Sequence, residues 1–417
     1  MTLVAVTAVG AVALLNLSPI QERLDWRVSE LVARIKYSIS PPEEVVFVPE
    51  GMPTAATPSI IPTLTQTPSV DINQESPEPA SGLLPTATIT PTPIPSSWQL
   101  PNFRHEYQSW NNCGPATLAM ALSYWGWDGD QRPIAAFTKP NSRDKNVMPY
   151  EMVDYVNEET PYDVTLGVGG EIALLRQFIA AGLPVIVEKG FEGPDFNGWM
   201  GHYVLATGYS DTDQSFILQD SYYGPDQFMK YEELDRLWRA FNYTYLVVYP
   251  EQRTKEVLEI LGPFGDEDYR NRSAAQRASN EIYLLTGRDQ FFAWFNRGSN
   301  LVALQDYAGA ALAYDQAFRV YASISEKDRP WRMLWYQTGP YWAYYFTGRY
   351  RDVTNLATTT LNAMSEPVLE ESYYWRAQAF VALGDTESAI RDFQTSLKYH
   401  TDFSPATLGL YQLNLTP

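Results

Sequence analysis

Apolar positions in the middle of the chain change their period from that of a helix to that of a strand. After the single cysteine, apolar side chains recur on one helix face at Leu118, Ala119, Leu122 and Trp125. Two further helices are predicted at 149–157 and 170–182. Short apolar runs favour strands at 183–188, 201–208, 215–220 and 243–249. Helices followed by consecutive strands predict an α+β domain over 98–250 with a mostly antiparallel sheet.

The chain after residue 250 is helical in pattern and rich in Ala, Tyr and Trp. One segment has the spacing of a tetratricopeptide repeat, with the matching positions Trp294, Gly298, Leu301, Tyr307, Ala310, Tyr314 and Ala317. Two more degenerate repeats are predicted around the turns at 348–350 and 384–386. We therefore expect an all-α, TPR-like domain over 251–417, with a plain helical bundle as the alternative. Stacked helix pairs would form a concave groove for a protein or peptide partner.

The first 97 residues differ in composition from the two predicted domains. Residues 1–19 are mostly apolar and predict a signal peptide or a membrane anchor. Residues 20–48 predict an amphipathic helix and a spacer, and residues 49–97 a disordered linker dominated by Pro and Thr. This order favours a protein that is secreted or held at a cell membrane by its N-terminal segment.

Composition and charge limit the classes of molecule that this protein is expected to bind. The net charge is −19, with 49 acidic and 30 basic residues and no basic stripe, so nucleic acid is a poor candidate partner. Contact with a membrane is expected only through the N-terminal segment. The single cysteine excludes an intramolecular disulfide and a cysteine-based zinc site. The sequence predicts no cofactor-binding residues and no metal-binding residues.

Cys113 is the strongest candidate for chemistry. It stands where a turn enters a helix, followed by Gly114 and Pro115, and Pro is well tolerated in a first helical turn. The helix dipole and the free N–H groups at this end favour the thiolate, which is the nucleophilic form. Five residues upstream, the side-chain amide of Gln108 could donate to an oxyanion. The alternative is that Cys113 is a small apolar core residue.

A thiol nucleophile needs a base, and the chain has three histidines. His202 opens an apolar strand after a glycine, a position from which it can face a cleft, whereas His105 is the weaker alternative and His400 lies in the repeat region. Asp220 ends the next predicted strand. Two antiparallel neighbours would bring His202 and Asp220 together, so that the carboxylate could orient the imidazole. The alternative is that Asp220 only caps a turn.

These residues and their order resemble the papain-like C39 peptidase family, specifically its stand-alone C39-like branch. The resemblance covers about 98–250 and rests on Gln-x4-Cys-Gly-Pro-Ala, on Gly-His-Tyr-Val and on the strand that ends at Asp220. It implies a papain-like fold, with Gln108 in the oxyanion hole, Cys113 as nucleophile, His202 as general base and acid, and Asp220 as the orienting carboxylate. It also implies thiolate attack on a peptide carbonyl and a thioester intermediate.

Three functions are compatible with this pattern. The first is an exported or tethered cysteine peptidase whose repeat domain binds protein or peptide. The second is a papain-like amidase or transpeptidase that acts on wall peptides, because the same site supports several acyl-transfer reactions. The third is a catalytically inactive binding or scaffold protein, which the four role-bearing residues disfavour.

Overall fold

The computed structural model describes residues 32, 35, 45–50, 94–192 and 198–416. Residues 94–250 form a sheet with helices on both faces, and residues 251–416 are helical. The α+β prediction for the first part and the helical prediction for the second are confirmed. The predicted segment 1–19 and most of the predicted 20–48 helix and 49–97 linker lie outside the described residues. No helix in the described ranges is long and apolar enough to cross a bilayer.

The sheet has seven strands in the described part of the chain, and every paired neighbour is antiparallel. Its order is β2-β7-β3-β4-β5-β6, with β1 paired to β4. The strands are β1 (Ser97–Gln99), β2 (Tyr162–Gly167), β3 (Val185–Phe191), β4 (Met200–Ser210), β5 (Ser215–Asp220), β6 (Gly224–Lys230) and β7 (Tyr245–Pro250).

Helices cover both faces of the sheet. Those of the first half are α1 (Cys113–Tyr124), α2 (Gln131–Thr138), α3 (Pro149–Glu159), α4 (Ile172–Ala180) and α5 (Tyr231–Trp238). Alternate residues of a strand face opposite sides. Accordingly, Ile186 packs in the core that holds α1, while Val185 and Val187 pack in the core that holds α4. Burial of both faces explains why the central strands read as continuous apolar runs in the sequence.

The helical half consists of consecutive helices, most of which are joined by short turns, and a longer connection over residues 324–338 separates the fourth helix from the fifth. Its helices are α6 (Thr254–Leu261), α7 (Glu267–Leu284), α8 (Gly287–Ala303), α9 (Tyr307–Ser323), α10 (Gly339–Phe346), α11 (Tyr350–Asn362), α12 (Glu370–Leu383), α13 (Thr386–Tyr399) and α14 (Ser404–Gln412). In the α8–α9 pair, a Cβ at Gly298 would lie 2.7 Å from the ring of Tyr314. A glycine is therefore required where these helices cross. The assignment of these pairs to the tetratricopeptide class stays a prediction.

The two halves share a polar and aromatic interface. The side chains of Asn242 and Asn300 donate to one another at 2.8 and 3.0 Å, and both are buried. Arg332 of the helical half donates to the backbone oxygen of Trp199 at 2.9 Å. The rings of Trp199 and Tyr336 meet edge to face with centroids 6.0 Å apart. The helical half is thus packed beside the start of β4.

A short segment upstream of the predicted linker packs on the helical half. Phe47 is 7% exposed and meets the ring of Phe318 edge to face at 4.9 Å. The backbone N–H of Glu50 donates to Asp352 Oδ1 at 2.7 Å. At the far end of the predicted linker, Tyr209 donates to the backbone oxygen of Pro95 at 2.7 Å. One end of the 51–93 segment is therefore fixed to the helical half and the other to the sheet.

Candidate active site

Cys113 is the first residue of α1, as the sequence predicts. The N–H groups of the first helical turn have no acceptor within their own helix, so they are free to bind negative charge. The approach loop is held by Gln131, whose Oε1 accepts from the backbone N–H of Ser109 at 2.8 Å and from Asn112 Nδ2 at 3.2 Å. On the other side, Thr117 donates to the backbone oxygen of Tyr203 at 3.1 Å and ties α1 to β4. The cysteine is partly exposed.

His202 lies near the beginning of β4 and is joined to Asp220 at the end of β5. The distance from His202 Nε2 to Asp220 Oδ1 is 3.0 Å. His202 is 3% exposed and Asp220 is 4% exposed, so water does not screen their attraction. The ring of Phe191 stacks on the imidazole with centroids 4.5 Å apart and covers it.

The second contact of His202 is the thiol of Cys113. Burial acts to raise the pKa of Cys113, but the hydrogen bond and the positive charge of His202 outweigh it and lower that pKa. The backbone N–H groups of Tyr203 and Gly114 lower it further. Since Nε2 meets the carboxylate, Nδ1 is the ring nitrogen that remains for the sulfur. A thiolate paired with an imidazolium follows from this arrangement.

The pKa of His202 is displaced in the opposite direction. Burial acts to lower it, but the charge and the hydrogen bond of Asp220, followed by those of Cys113, raise it to about 9. For Asp220, burial acts to raise the pKa, and the charge and hydrogen bond of His202 together with the charge of Lys189 bring it below its usual value. Both partners are therefore charged at neutral pH.

Asp220 also caps the turn that follows β5. Its Oδ1 accepts from the backbone N–H of Tyr222 at 2.8 Å and of Tyr223 at 3.0 Å. The two interpretations that the sequence left open, orientation of the imidazole and capping of a turn, are thus both compatible with one carboxylate. The turn fixes the carboxylate, and the carboxylate fixes the imidazole.

Gln108 lies beside this group and is oriented by a residue that the sequence analysis did not select. Ser221 Oγ donates to Gln108 Oε1 at 2.9 Å, and the backbone N–H of Gln108 donates to the backbone oxygen of Ser221 at 3.0 Å. With its oxygen engaged, the Gln108 amide keeps its Nε2 hydrogens for another acceptor. The adjacency of Ser221 to Asp220 was the one signal that could have indicated this contact.

The remaining histidines lie in other surroundings. The ring of His105 meets Tyr107 edge to face at 4.7 Å. His400 Nδ1 lies 3.0 Å from Glu370 Oε1. Within the described ranges, the one group of side chains with the spacing to hold a metal ion is Glu151, Glu370 and His400, and it is separate from the thiol.

Comparison with known proteins gives a match over the same part of the chain. Residues 99–246 match the sequence model of the Peptidase_C39 like family. A structure described as a C39-like peptidase from Bacillus anthracis is 17% identical, with coverage of 37% of this chain and 98% of that chain and a TM-score of 0.32. The peptidase domain of Streptococcus ComA, a bi-functional ABC transporter involved in a quorum sensing pathway, is 16% identical, with coverage of 36% and 100% and a TM-score of 0.29. A comparison with curated protein sequences found no significant match.

Proposed function

We propose that residues 98–250 form a cysteine peptidase that hydrolyses peptide bonds with Cys113, His202, Asp220 and Gln108. The observation that carries the proposal is the continuous contact from carboxylate to imidazole to thiol, in which Asp220 and His202 are buried and the residue Cys113 is partly exposed. The match of residues 99–246 to a C39-like peptidase family supports it.

The proposed reaction begins when the Cys113 thiolate attacks the scissile carbonyl carbon. The oxyanion that forms accepts hydrogen bonds from Gln108 Nε2 and from the free backbone N–H at the start of α1. His202 transfers its proton to the leaving amine, the C–N bond breaks, and a thioester remains. His202 then takes a proton from water, the hydroxide attacks the thioester, and the acid product leaves the thiolate behind.

We propose that the helical half binds the substrate protein or another peptide partner. Two observations support this role. Arg332 and Tyr336 pack against Trp199 and Gly201, close to His202, so a bound chain could reach both halves. The helical half also accommodates an extended segment already, because Phe47 inserts among its aromatic side chains.

The proposal includes an extracytoplasmic location, with segment 1–19 as signal or anchor and 49–97 as spacer. Its support is the pattern of the sequence alone. Fractionation of cells that express the full chain, with and without residues 1–19, tests it. Equal recovery of both forms from the cytoplasmic fraction would contradict this part of the proposal.

The activity is tested by incubating the full chain with a mixed peptide library and reading new termini by mass spectrometry. We expect cleavage by the wild-type chain and none by Cys113→Ala. Asp226→Asn is the matched control, because Asp226 is exposed on the neighbouring strand β6 and should leave cleavage intact. New amide linkages instead of new termini, when an amine acceptor is added, would indicate a transferase.

An inactive scaffold is distinguished by alkylation of the thiol. We expect iodoacetamide to modify Cys113 at pH 6 faster than it modifies a free cysteine, because His202 lowers the pKa of that thiol. We expect His202→Ala to slow the modification strongly. A rate at pH 6 equal to that of a free thiol, and indifferent to His202, would refute an activated nucleophile.

A further inference from the structure

A group of buried acidic side chains lies between the two halves, on elements far apart in sequence. Glu151 is in the first turn of α3, whereas Glu370 and Glu371 are in the first turn of α12, and His400 directly follows α13. Glu151, Glu370 and His400 each present a ligand atom, and these atoms lie within 4.8 Å of one another. Residues 94–250 and the helical half therefore meet at three convergent donor atoms.

The carboxylates in this group have few partners. Glu151, Glu370 and Glu371 are 7%, 3% and 9% exposed. Glu151 accepts from the backbone N–H of Met148 at 2.6 Å, and Glu370 meets His400. Among the described residues, no lysine or arginine forms an ion pair with any of the three. Burying ionised carboxylates is costly, and either protonation or a bound cation removes that cost.

Glu371 is a further buried carboxylate beside this group. Within the described part of the chain, the donor that meets its carboxylate is its own backbone N–H. Of the surrounding charges, that of Glu371 acts most strongly on Glu151, so its carboxylate lies beside the same group. Glu371 is not one of the three residues whose ligand atoms lie within 4.8 Å of one another, so it adds negative charge beside the group rather than a ligand atom.

Lys139, whose charge interacts with that of Glu151, is already engaged by backbone acceptors. Lys139 Nζ donates to the backbone oxygens of Trp110 and Asn111 at 3.2 and 3.4 Å. Asn111 Nδ2 in turn donates to the backbone oxygen of Asp144 at 2.9 Å. The lysine therefore stabilises the turn before Cys113.

We propose that Glu151, Glu370 and His400 bind one divalent transition-metal ion between the two halves. Imidazole and carboxylate together are the donors that Zn²⁺ and Mn²⁺ accept in proteins, whereas Ca²⁺ and Mg²⁺ prefer oxygen alone. Two ligands of one Zn²⁺ at about 2.0–2.2 Å lie roughly 3.3–3.6 Å apart in a tetrahedron. The 3.0 Å between His400 Nδ1 and Glu370 Oε1 is near that separation.

The ion fastens α3 to α12 and α13. It thereby holds the helical half against the loop that supports the start of α1. This site is distinct from the thiol chemistry, and its existence does not depend on the proposed peptidase activity.

The test uses the full chain carrying Cys113→Ala, so that the thiolate cannot bind the probe. After treatment with a chelator, the protein is titrated with ZnCl₂ and with MnCl₂ by calorimetry, and its melting temperature is measured. We expect one equivalent of either ion to bind and to raise the melting temperature. CaCl₂ and MgCl₂ should bind at least about 10-fold more weakly.

Glu370→Gln and His400→Ala should each weaken Zn²⁺ binding at least about 10-fold. Glu387→Gln is the matched control, because Glu387 is exposed on α13 and should leave the affinity unchanged. Without metal, Glu370→Gln should melt at or above the temperature of its parent, since it removes one of several like charges. Comparable affinity in Glu370→Gln and Glu387→Gln, no saturable binding, or equal affinity for Ca²⁺ would each overturn the proposal.

Discussion

Replacing Asp220 with Asn tests the electrostatics of the candidate site most directly. The substitution keeps an oxygen that can accept from His202 but removes the negative charge 3.0 Å from Nε2. A hydrogen bond to a charged group contributes about 1.5–3 kcal/mol against about 0.5–1.5 for a neutral one. That difference alone is about one pKa unit. At an effective dielectric constant of about 20, the Coulomb attraction over this distance is about 5 kcal/mol, or at most about 4 units.

The pKa of His202, about 9 in the wild-type chain, should therefore fall by about 1–4 units in Asp220→Asn. Burial then acts on the imidazole with less opposition and favours the neutral ring. The measurement is a pH titration of the imidazole Cε1–H signals by NMR with ¹³C-labelled histidine. With three histidines in the chain, His105→Gln and His400→Gln assign the remaining signal.

Asp226→Asn is the control, because its exposed carboxylate lies on the same β5–β6 hairpin and accepts from Gln219 at 2.9 Å. It should leave the His202 titration within about half a pKa unit of the wild type. A wild-type His202 that titrates at or below its ordinary value, or an Asp220→Asn chain with an unchanged midpoint, would refute the reasoning.

Three further predictions follow from contacts of the same kind. In Cys113→Ala the pKa of His202 stays above its unfolded value of 6.5, so stability is fully present below about pH 6.5 and is lost as the pH rises towards 9. In the wild type this loss is offset because Cys113 releases its proton on folding. Urea unfolding at about pH 6.5 and about pH 9 measures the free energy of unfolding of both chains. An equal value at the two pH values in Cys113→Ala would contradict this prediction. Gln108→Ala should reduce peptide turnover about 10²–10³-fold while the alkylation rate of Cys113 changes little, and unchanged turnover would exclude Gln108 from the oxyanion site. Phe47→Ala should lower the free energy of unfolding by up to about 3 kcal/mol and expose segment 45–50 to proteolysis, whereas Val48→Ala, at a 63% exposed position, should do neither.

The helix that starts at Cys113 and the strands on either side of His202 were predictable because both faces of the sheet are buried. Continuous apolar runs gave β3, β4 and β5 within a few residues of their observed limits. The juxtaposition of His202 with Asp220 followed from the order of antiparallel strands. The chain has one cysteine and three histidines, so the search for partners was short.

Strand β6 and helix α5 were not predicted. β6 runs along the edge of the sheet, its residues are mostly exposed, and Phe228 is 74% exposed. Such a strand has no buried face to impose alternation on its sequence, and only its backbone pairing with β5 defines it. Helix α5 is eight residues long and follows β6 without a loop, so its apolar positions are few.

Contacts between distant segments could not be predicted from the sequence pattern either. Ser221 orients Gln108 across 113 positions, and Gln131 supports the approach loop from another helix. Nothing in the local pattern links Glu151 to Glu370, because each residue reads as a surface acid in the first turn of a helix. Tertiary packing brings these residues together, and the local sequence pattern does not indicate which helix faces pack against each other.

The attachment of segment 45–50 has a mechanical consequence. A pull applied to the chain upstream of Val45 is resisted first by the Phe47 side chain and by the bond between Glu50 and Asp352. The force therefore enters the molecule through α9 and α11, and it reaches β1 along the chain only after that anchor gives way. While the anchor holds, the N-terminal chain does not pull directly on β1, which pairs with the strand that carries His202.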